Sequence, residues 1–195
     1  MSATSCAAHS PIAEFSFISG SSFVFIDVIG LPPNAFGFCF AAIVIGYMIG
    51  TTLAGRLSHR FHLDRLIAVG TAIALVNGAL MVGLAVIGLA TSGLARVLAI
   101  VLPMLAYMIG IGLVLPNSIA GAIGPFPRAA GAASGLLGFI QMALAAVAGI
   151  AVAQFHDGTA IPMTAGIAGA AIAVWISFRF LVRPRQALDD APPPA

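Results

Sequence analysis

The feature that most constrains this chain is a series of long apolar runs, each close to the length that crosses a lipid bilayer. Charged residues make up 7% of its 195 residues, whereas a soluble domain carries about 25%. A helix needs roughly 20 apolar residues to cross the hydrocarbon core, and short charged clusters recur at about that interval. The pattern excludes an ordinary water-soluble globule and indicates a membrane protein.

The apolar runs favour helices over a β-barrel, because they are continuous and lack the alternation of polar and apolar residues seen in barrel strands. Turn residues separate six predicted segments: Phe15 to Ile29, Ala35 to Leu57, Leu66 to Ala90, Val97 to Ile119, Ala129 to Phe155 and Ile161 to Val182. We therefore expect an all-α membrane protein with a polar N-terminal stretch over residues 1–14, a six-helix transmembrane bundle over 15–182 and a disordered cytoplasmic tail over 183–195.

The first segment is the shortest in apolar length. About 15 residues separate Glu14 from Ile29, which is less than a full crossing requires. The sequence therefore predicts a first helix that lacks its initial turns, as if the chain began inside a longer helix.

The arginines predict the orientation of the bundle, because short cytoplasmic loops collect positive charge. When the loops are numbered alternately, one side holds only Arg96, and the other holds Arg56, Arg60, Arg65, Arg128, Arg179, Arg183 and Arg185. We expect a multi-pass protein of the cell inner membrane with both termini in the cytoplasm.

Two segments carry small residues at the spacing that lets membrane helices pack closely. The second has Ala42, Gly46, Gly50 and Ala54, and the fifth has Gly131, Gly135 and Gly138 with Ser134. Both segments are expected to have close helical neighbours.

Polar groups inside the membrane are costly and mark cavities or helix contacts. In the fourth segment Pro116 removes a backbone hydrogen bond and Asn117 adds amide donors beside it, which predicts a kinked, polar-lined helix. Gln141 of the fifth segment is a candidate for substrate contact, with an interhelical hydrogen bond as its alternative.

The run from Gly112 to Ser118 reads Gly-Leu-Val-Leu-Pro-Asn-Ser, and the run from Gly124 to Met142 begins Gly-Pro-Phe-Pro-Arg and ends Phe-Ile-Gln-Met. Together with Phe17 to Ile26 and Gly30 to Gly37, they resemble the second half of Bcr/CflA-type drug resistance transporters of the major facilitator superfamily. The resemblance covers about Phe15 to Arg183 and implies that the six segments correspond to helices seven to twelve of a twelve-helix fold.

The loop after the second segment is similar to the cytoplasmic loop signature of that superfamily, Gly-x-Leu-x-Asp-Arg. Gly55, Leu57 and Arg60 match it, and His59 stands in place of its acid. The resemblance implies a gate loop that includes Gly55, Arg56 and Arg60, although the cluster from Arg56 to Arg65 is explained first as a topology anchor that contacts lipid headgroups.

The resemblance also implies a substrate cavity near the bilayer midplane, between two six-helix halves that rock against each other. Its candidate lining residues here are Asn117, Pro116, Gln141, Phe17 and Phe23. Packing in the bundle is the alternative for each of them.

Two acids flank the first segment. Asp27 is a weak proton-coupling candidate, since it lies beside the turn Gly-Leu-Pro-Pro and is better explained as an interfacial, solvated acid. Glu14, at the other end of the segment, is expected at the interface for the same reason.

The first hypothesis is the C-terminal half of a proton-coupled exporter of drugs or other small amphipathic compounds. It would act in the lipid bilayer with a missing N-terminal six-helix half or a second copy of itself. The alternative is a truncated, non-transporting fragment or scaffold. No enzyme is expected because no catalytic set is present, His59 and His62 lack a third metal ligand, no cofactor is implied, and scattered arginines give no nucleic-acid surface.

Overall fold

The computed structural model describes residues 2–87, 93–124, 126–155 and 157–179, and every regular element among them is helical. The long helices are α1 (Ser2–Ser22), α2 (Pro33–Leu57), α3 (Leu63–Val86), α4 (Gly93–Ile123), α5 (Ala130–Gln154) and α6 (Ile161–Ser177). A π-helical turn, Phe23–Val28, continues α1 without a break, and a short 3₁₀ turn, Pro127–Ala129, precedes α5. The tail expected over 183–195 lies outside the described residues.

The first helix is longer than its sequence predicts. It begins at Ser2 instead of Phe15, so the expectation of a helix without its initial turns is wrong, and residues 2–14 belong to the bundle. The stretch before Phe15 contains polar residues, but the Ser10 hydroxyl donates to the carbonyl of Cys6, one turn back in the same helix.

Five helices contain stretches long and apolar enough to cross a membrane: His9–Val28, Pro33–Leu57, Leu63–Val86, Ala95–Ile123 and Pro127–Gln154. Within the described residues α6 has 17 residues, the lower limit for a span. The prediction of an all-α membrane protein is confirmed.

Helices α1 and α4 contact each other at the centre of the bundle. On one side of this central pair, α6 packs on α1 and α3 packs on α4. Helices α3 and α6 also contact each other. Helix α2 packs along α4, and α5 packs along α1. The two central helices therefore hold every other helix in place.

Two glycines let α4 approach two neighbours at once. A Cβ at Gly110 would lie 2.7 Å from the carbonyl oxygen of Gly70 in α3, and a Cβ at Gly112 would lie 2.8 Å from the Cα of Gly50 in α2. Gly110 and Gly112 are two positions apart in sequence, which places them about 200° apart around α4. Helices α2 and α3 therefore pack on opposite sides of α4.

The close neighbour predicted for the small-residue face of α2 is thus confirmed as α4. The corresponding face of α5 is different. A Cβ at Gly131, Gly135 or Gly138 would meet no atom of the described structure within 4 Å. The face of α5 that was expected to pack closely is open in this part of the chain.

Candidate functional site

Glu14 is an acid that the fold places within a long apolar helix. It lies about midway along the continuous helix from Ser2 to Val28, and within the apolar stretch His9–Val28. Helix α1 extends back to Ser2, so Glu14 does not stand at the start of the helix as the sequence suggested. An ionisable side chain within a membrane span is costly and marks a functional site by default.

Glu14 is on the side of α1 that no described helix covers. Ser16 abuts Gly166 of α6, where a Cβ would lie 2.8 Å from the Ser16 hydroxyl. Glu14 and Ile18 are each two residues from Ser16, about 200° around the helix, and both are exposed. With Ser22, also exposed, they form what we call the open face of α1.

An aromatic ladder connects α1 to α2 beside this face. The rings of Phe17 and Phe40 stack with centroids 6.1 Å apart, and Phe25 meets Phe36 at 5.8 Å. Phe17 and Phe25 are buried, whereas Phe23 is 44% exposed. Of the two phenylalanines predicted to line a cavity, Phe17 therefore belongs to the ladder and Phe23 faces outward.

Tyr47 of α2 continues the ladder toward Glu14. It follows Phe40 by seven residues, about two turns, and so shares its face. Phe17 pairs with Phe40, and the later Phe25 pairs with the earlier Phe36, so the two helices run antiparallel along the ladder. The turn before Phe17 on α1 therefore lies beside the turns after Phe40 on α2.

Gln141 has an interhelical hydrogen bond. Its Nε2 donates to the carbonyl oxygen of Ala7 in α1 at 3.0 Å. In a regular helix that carbonyl would accept from the N–H of residue 11, but residue 11 is proline and has none. Gln141 therefore satisfies the carbonyl that Pro11 leaves unpaired.

Asn117 is buried at 5% exposure, and its Nδ2 donates to the carbonyl of Leu113 at 2.7 Å. It follows Gly110 by seven residues, which places it on the side of α4 that packs on α3. Pro116 is half-buried within a helix that continues to Ile123. Neither residue shares the open face of α1.

The remaining candidates lie at the ends of the helices. Asp27 is exposed in the last turn of the π-helical segment, and Arg96 donates a 3.5 Å hydrogen bond to the carbonyl of Val28 beside it. Gly55, Arg56 and Arg60 are exposed around the turn between α2 and α3. No group of three or more potential metal ligands occurs among the described residues.

The structure therefore places Glu14 one helical turn before Phe17 of the aromatic ladder, and leaves Asn117, Pro116 and Asp27 apart from them. Sequence reasoning missed Tyr47, the position of Glu14 and the role of Pro11. The signal that could have found the position of Glu14 is the run before it, which contains no Asp, Glu, Lys or Arg.

Comparison with known proteins gives two relatives. The chain is 28% identical over 152 residues to an uncharacterized MFS-type transporter, YdgK, of Bacillus subtilis (strain 168), a match that covers 78% of this chain and 36% of the relative. It is 24% identical over 168 residues to a bicyclomycin resistance protein homolog of Haemophilus influenzae, which covers 86% of this chain and 40% of the relative.

The chain thus spans about two fifths of the length of the curated relatives it matches. No protein-family model matches it. No solved structure matches it either. The two relatives agree with the resemblance that the motifs indicated: over most of its length the chain is similar to an MFS-type transporter and to a bicyclomycin resistance protein homolog.

Proposed function

We propose that this chain forms the C-terminal six-helix half of a proton-coupled exporter of drugs or other small amphipathic compounds in the inner membrane. Two transport-related relatives support transport, and their greater length supports a second six-helix unit. That unit is an N-terminal half or a second copy of this chain. The open face of α1 would then form one wall of the cavity between the halves.

The observation that carries the proposal is the position of Glu14. A carboxylate within a span is retained only where it faces water, a partner or a substrate. On the open face of α1 Glu14 has room for all three, beside an otherwise apolar helix surface. Glu14 is also better placed than Asp27 to exchange a proton, because Asp27 lies at the end of its helix.

The alternative is a membrane fragment or scaffold that transports nothing. The open small-residue face of α5 is compatible with it, because such a face can dock any helix. The two hypotheses differ in what Glu14 does, since a scaffold has no use for a carboxylate on an open face.

The test is drug accumulation in an efflux-deficient strain. The chain is expressed alone and together with the N-terminal half of the Bacillus relative, each as wild type, Glu14→Gln and Asp27→Asn. We expect lower accumulation in at least one wild-type arm, loss of that effect with Glu14→Gln and its retention with Asp27→Asn. Unchanged accumulation in every arm, with the protein present in the membrane, would contradict the exporter and favour the scaffold.

A further inference from the structure

We propose that the cavity where α1, α3, α4 and α6 meet at one end of the bundle binds a small carboxylate with a single apolar ring, and that Arg96 holds its carboxylate. The site goes beyond the proposed function, because none of its lining residues belongs to the open face of α1. Its volume is about 260 Å³. An apolar cavity of about 150 Å³ holds one benzene ring, so this one has room for a ring with a short polar group.

The inner end of the cavity is apolar and buried. Val24 and Met81 line it and are each 1% exposed, and Ile100 adds a half-buried side chain from α4. Thr164 also lines the cavity, but its hydroxyl donates to the carbonyl of Ala160 at 3.0 Å, one turn back in the chain. The inner end therefore suits the apolar part of a ligand.

Arg96 supplies the charge at the outer end. Among the described residues that line the cavity it is the charged one, and it lies near the start of α4. One of its N–H groups donates to the carbonyl of Val28 at 3.5 Å, which holds the guanidinium against the end of the π-helical turn. A guanidinium has five N–H donors and binds a carboxylate through two of them in parallel. The donors that do not face Val28 are therefore suited to a ligand carboxylate.

The depth of the cavity favours a compact ligand over a lipid chain. Its lining residues run from Met81 to Ala85 in α3 and from Arg96 to Ile100 in α4, which is about 6 Å along each helix at 1.5 Å per residue. A lipid chain extends through about half of the roughly 30 Å hydrocarbon core, or about 15 Å. A single ring fits the shorter dimension, whereas most of an acyl chain would remain outside.

Two acids near the mouth limit how strongly an anion is held. Asp27 is exposed beside Val28, and Asp157 accepts hydrogen bonds from the Thr159 N–H and hydroxyl at 3.0 and 2.6 Å. Neither acid lines the cavity. Both reduce the positive potential at the mouth, so a ligand carboxylate needs direct contact with Arg96.

The test is binding to the full chain purified into lipid nanodiscs, measured by NMR titration against empty nanodiscs. Benzoate is the probe, and benzamide and benzylammonium are its neutral and cationic counterparts of similar shape. We expect benzoate to bind about tenfold more tightly than either, because only a carboxylate makes the charge-assisted pair with Arg96. Equal affinity for the three probes, or no binding of benzoate, would overturn the inference.

Variants locate the site. Arg96→Gln should weaken benzoate binding about tenfold, and so should Ala99→Leu, which keeps the charge but fills part of the cavity. Asp27→Asn should strengthen binding about twofold, because it removes an opposing charge. Arg128→Gln is the matched control, since it removes an exposed arginine beyond the other end of α4, and it should bind as the wild type does. Normal binding by folded Arg96→Gln, or an equal loss in Arg128→Gln, would overturn the inference.

Alkyl carboxylates distinguish a compact site from a lipid site. Each newly buried CH₂ group tightens binding about fourfold, so hexanoate and decanoate should bind alike if the added carbons find no cavity wall. Steadily tighter binding up to decanoate would indicate a site for a lipid chain and overturn the inference. Efflux that depends on Glu14, without binding of benzoate, would leave the exporter standing and reject this site.

Discussion

At the scale of single residues, the chain shows how a proline inside a membrane helix is accommodated. Pro11 deprives the Ala7 carbonyl of its usual partner, and in the absence of water that oxygen must find another donor. Gln141 supplies it from α5 at 3.0 Å. Pro11 and Gln141 are 130 positions apart in sequence, so neither one predicts the other.

This pairing makes a testable prediction. Gln141→Leu should lower the free energy of unfolding by about 0.6 to 2 kcal/mol, the range found for interhelical hydrogen bonds in membranes. In a Pro11→Ala background the same change should cost much less, since residue 11 then supplies its own N–H to Ala7. Unfolding of the four proteins in bicelles gives the double-mutant cycle, and an equal cost in both backgrounds would contradict the assignment.

At the scale of helices, close approach is decided by where glycines meet. Gly50 and Gly112 face each other, and so do Gly70 and Gly110, which allows α4 to contact α2 and α3 backbone to backbone. The spacing of small residues identified the face of α2 correctly, but similar spacing in α5 gives an open surface. Spacing shows that a helix is able to pack closely, and the partner decides whether it does.

Alanine substitutions distinguish a closely packed glycine from a glycine on an open helix face. Gly112→Ala should destabilise the bundle by about 1 to 3 kcal/mol, because its Cβ would lie 2.7 Å from the carbonyl oxygen of Tyr47, a backbone atom that cannot move aside. Gly135→Ala, with no described atom within 4 Å, should be neutral or slightly stabilising. Thermal unfolding of both variants measures this, and equal shifts in Tm would contradict it.

At the scale of the whole molecule, the distribution of arginine predicts an orientation in the bilayer. Arg56, Arg60 and Arg65 flank the turn between α2 and α3, whereas the turn before α6 contains Gly158 and no arginine. The first turn should therefore be cytoplasmic and the second should lie on the opposite side.

Single cysteines test the orientation. Cys6 and Cys39, both free thiols, are replaced by alanine, and Ser58→Cys or Thr159→Cys is added. An impermeant maleimide should label only Thr159→Cys in intact cells, and Ser58→Cys only after the membrane is opened. Labelling of Ser58→Cys in intact cells would reverse the proposed topology.

The sequence by itself determined the class of fold and most of its elements. Apolar runs of bilayer length define membrane helices because hydrocarbon cannot hydrogen-bond to the backbone, and that rule is local to each run. It failed at α1, where polar residues made residues 2–14 resemble a polar stretch, although the Ser10 hydroxyl bonds to the preceding turn of the same helix.

Only the tertiary structure decided which polar residues are paired with a helix and which are left on an open face. Gln141 and Asn117, the strongest candidates by type, bond to carbonyls, whereas Glu14 lies at mid-helix on the open face of α1. Sequence records which side chains are polar. What each one faces depends on contacts between helices far apart in the chain, and those contacts exist only once the bundle has packed.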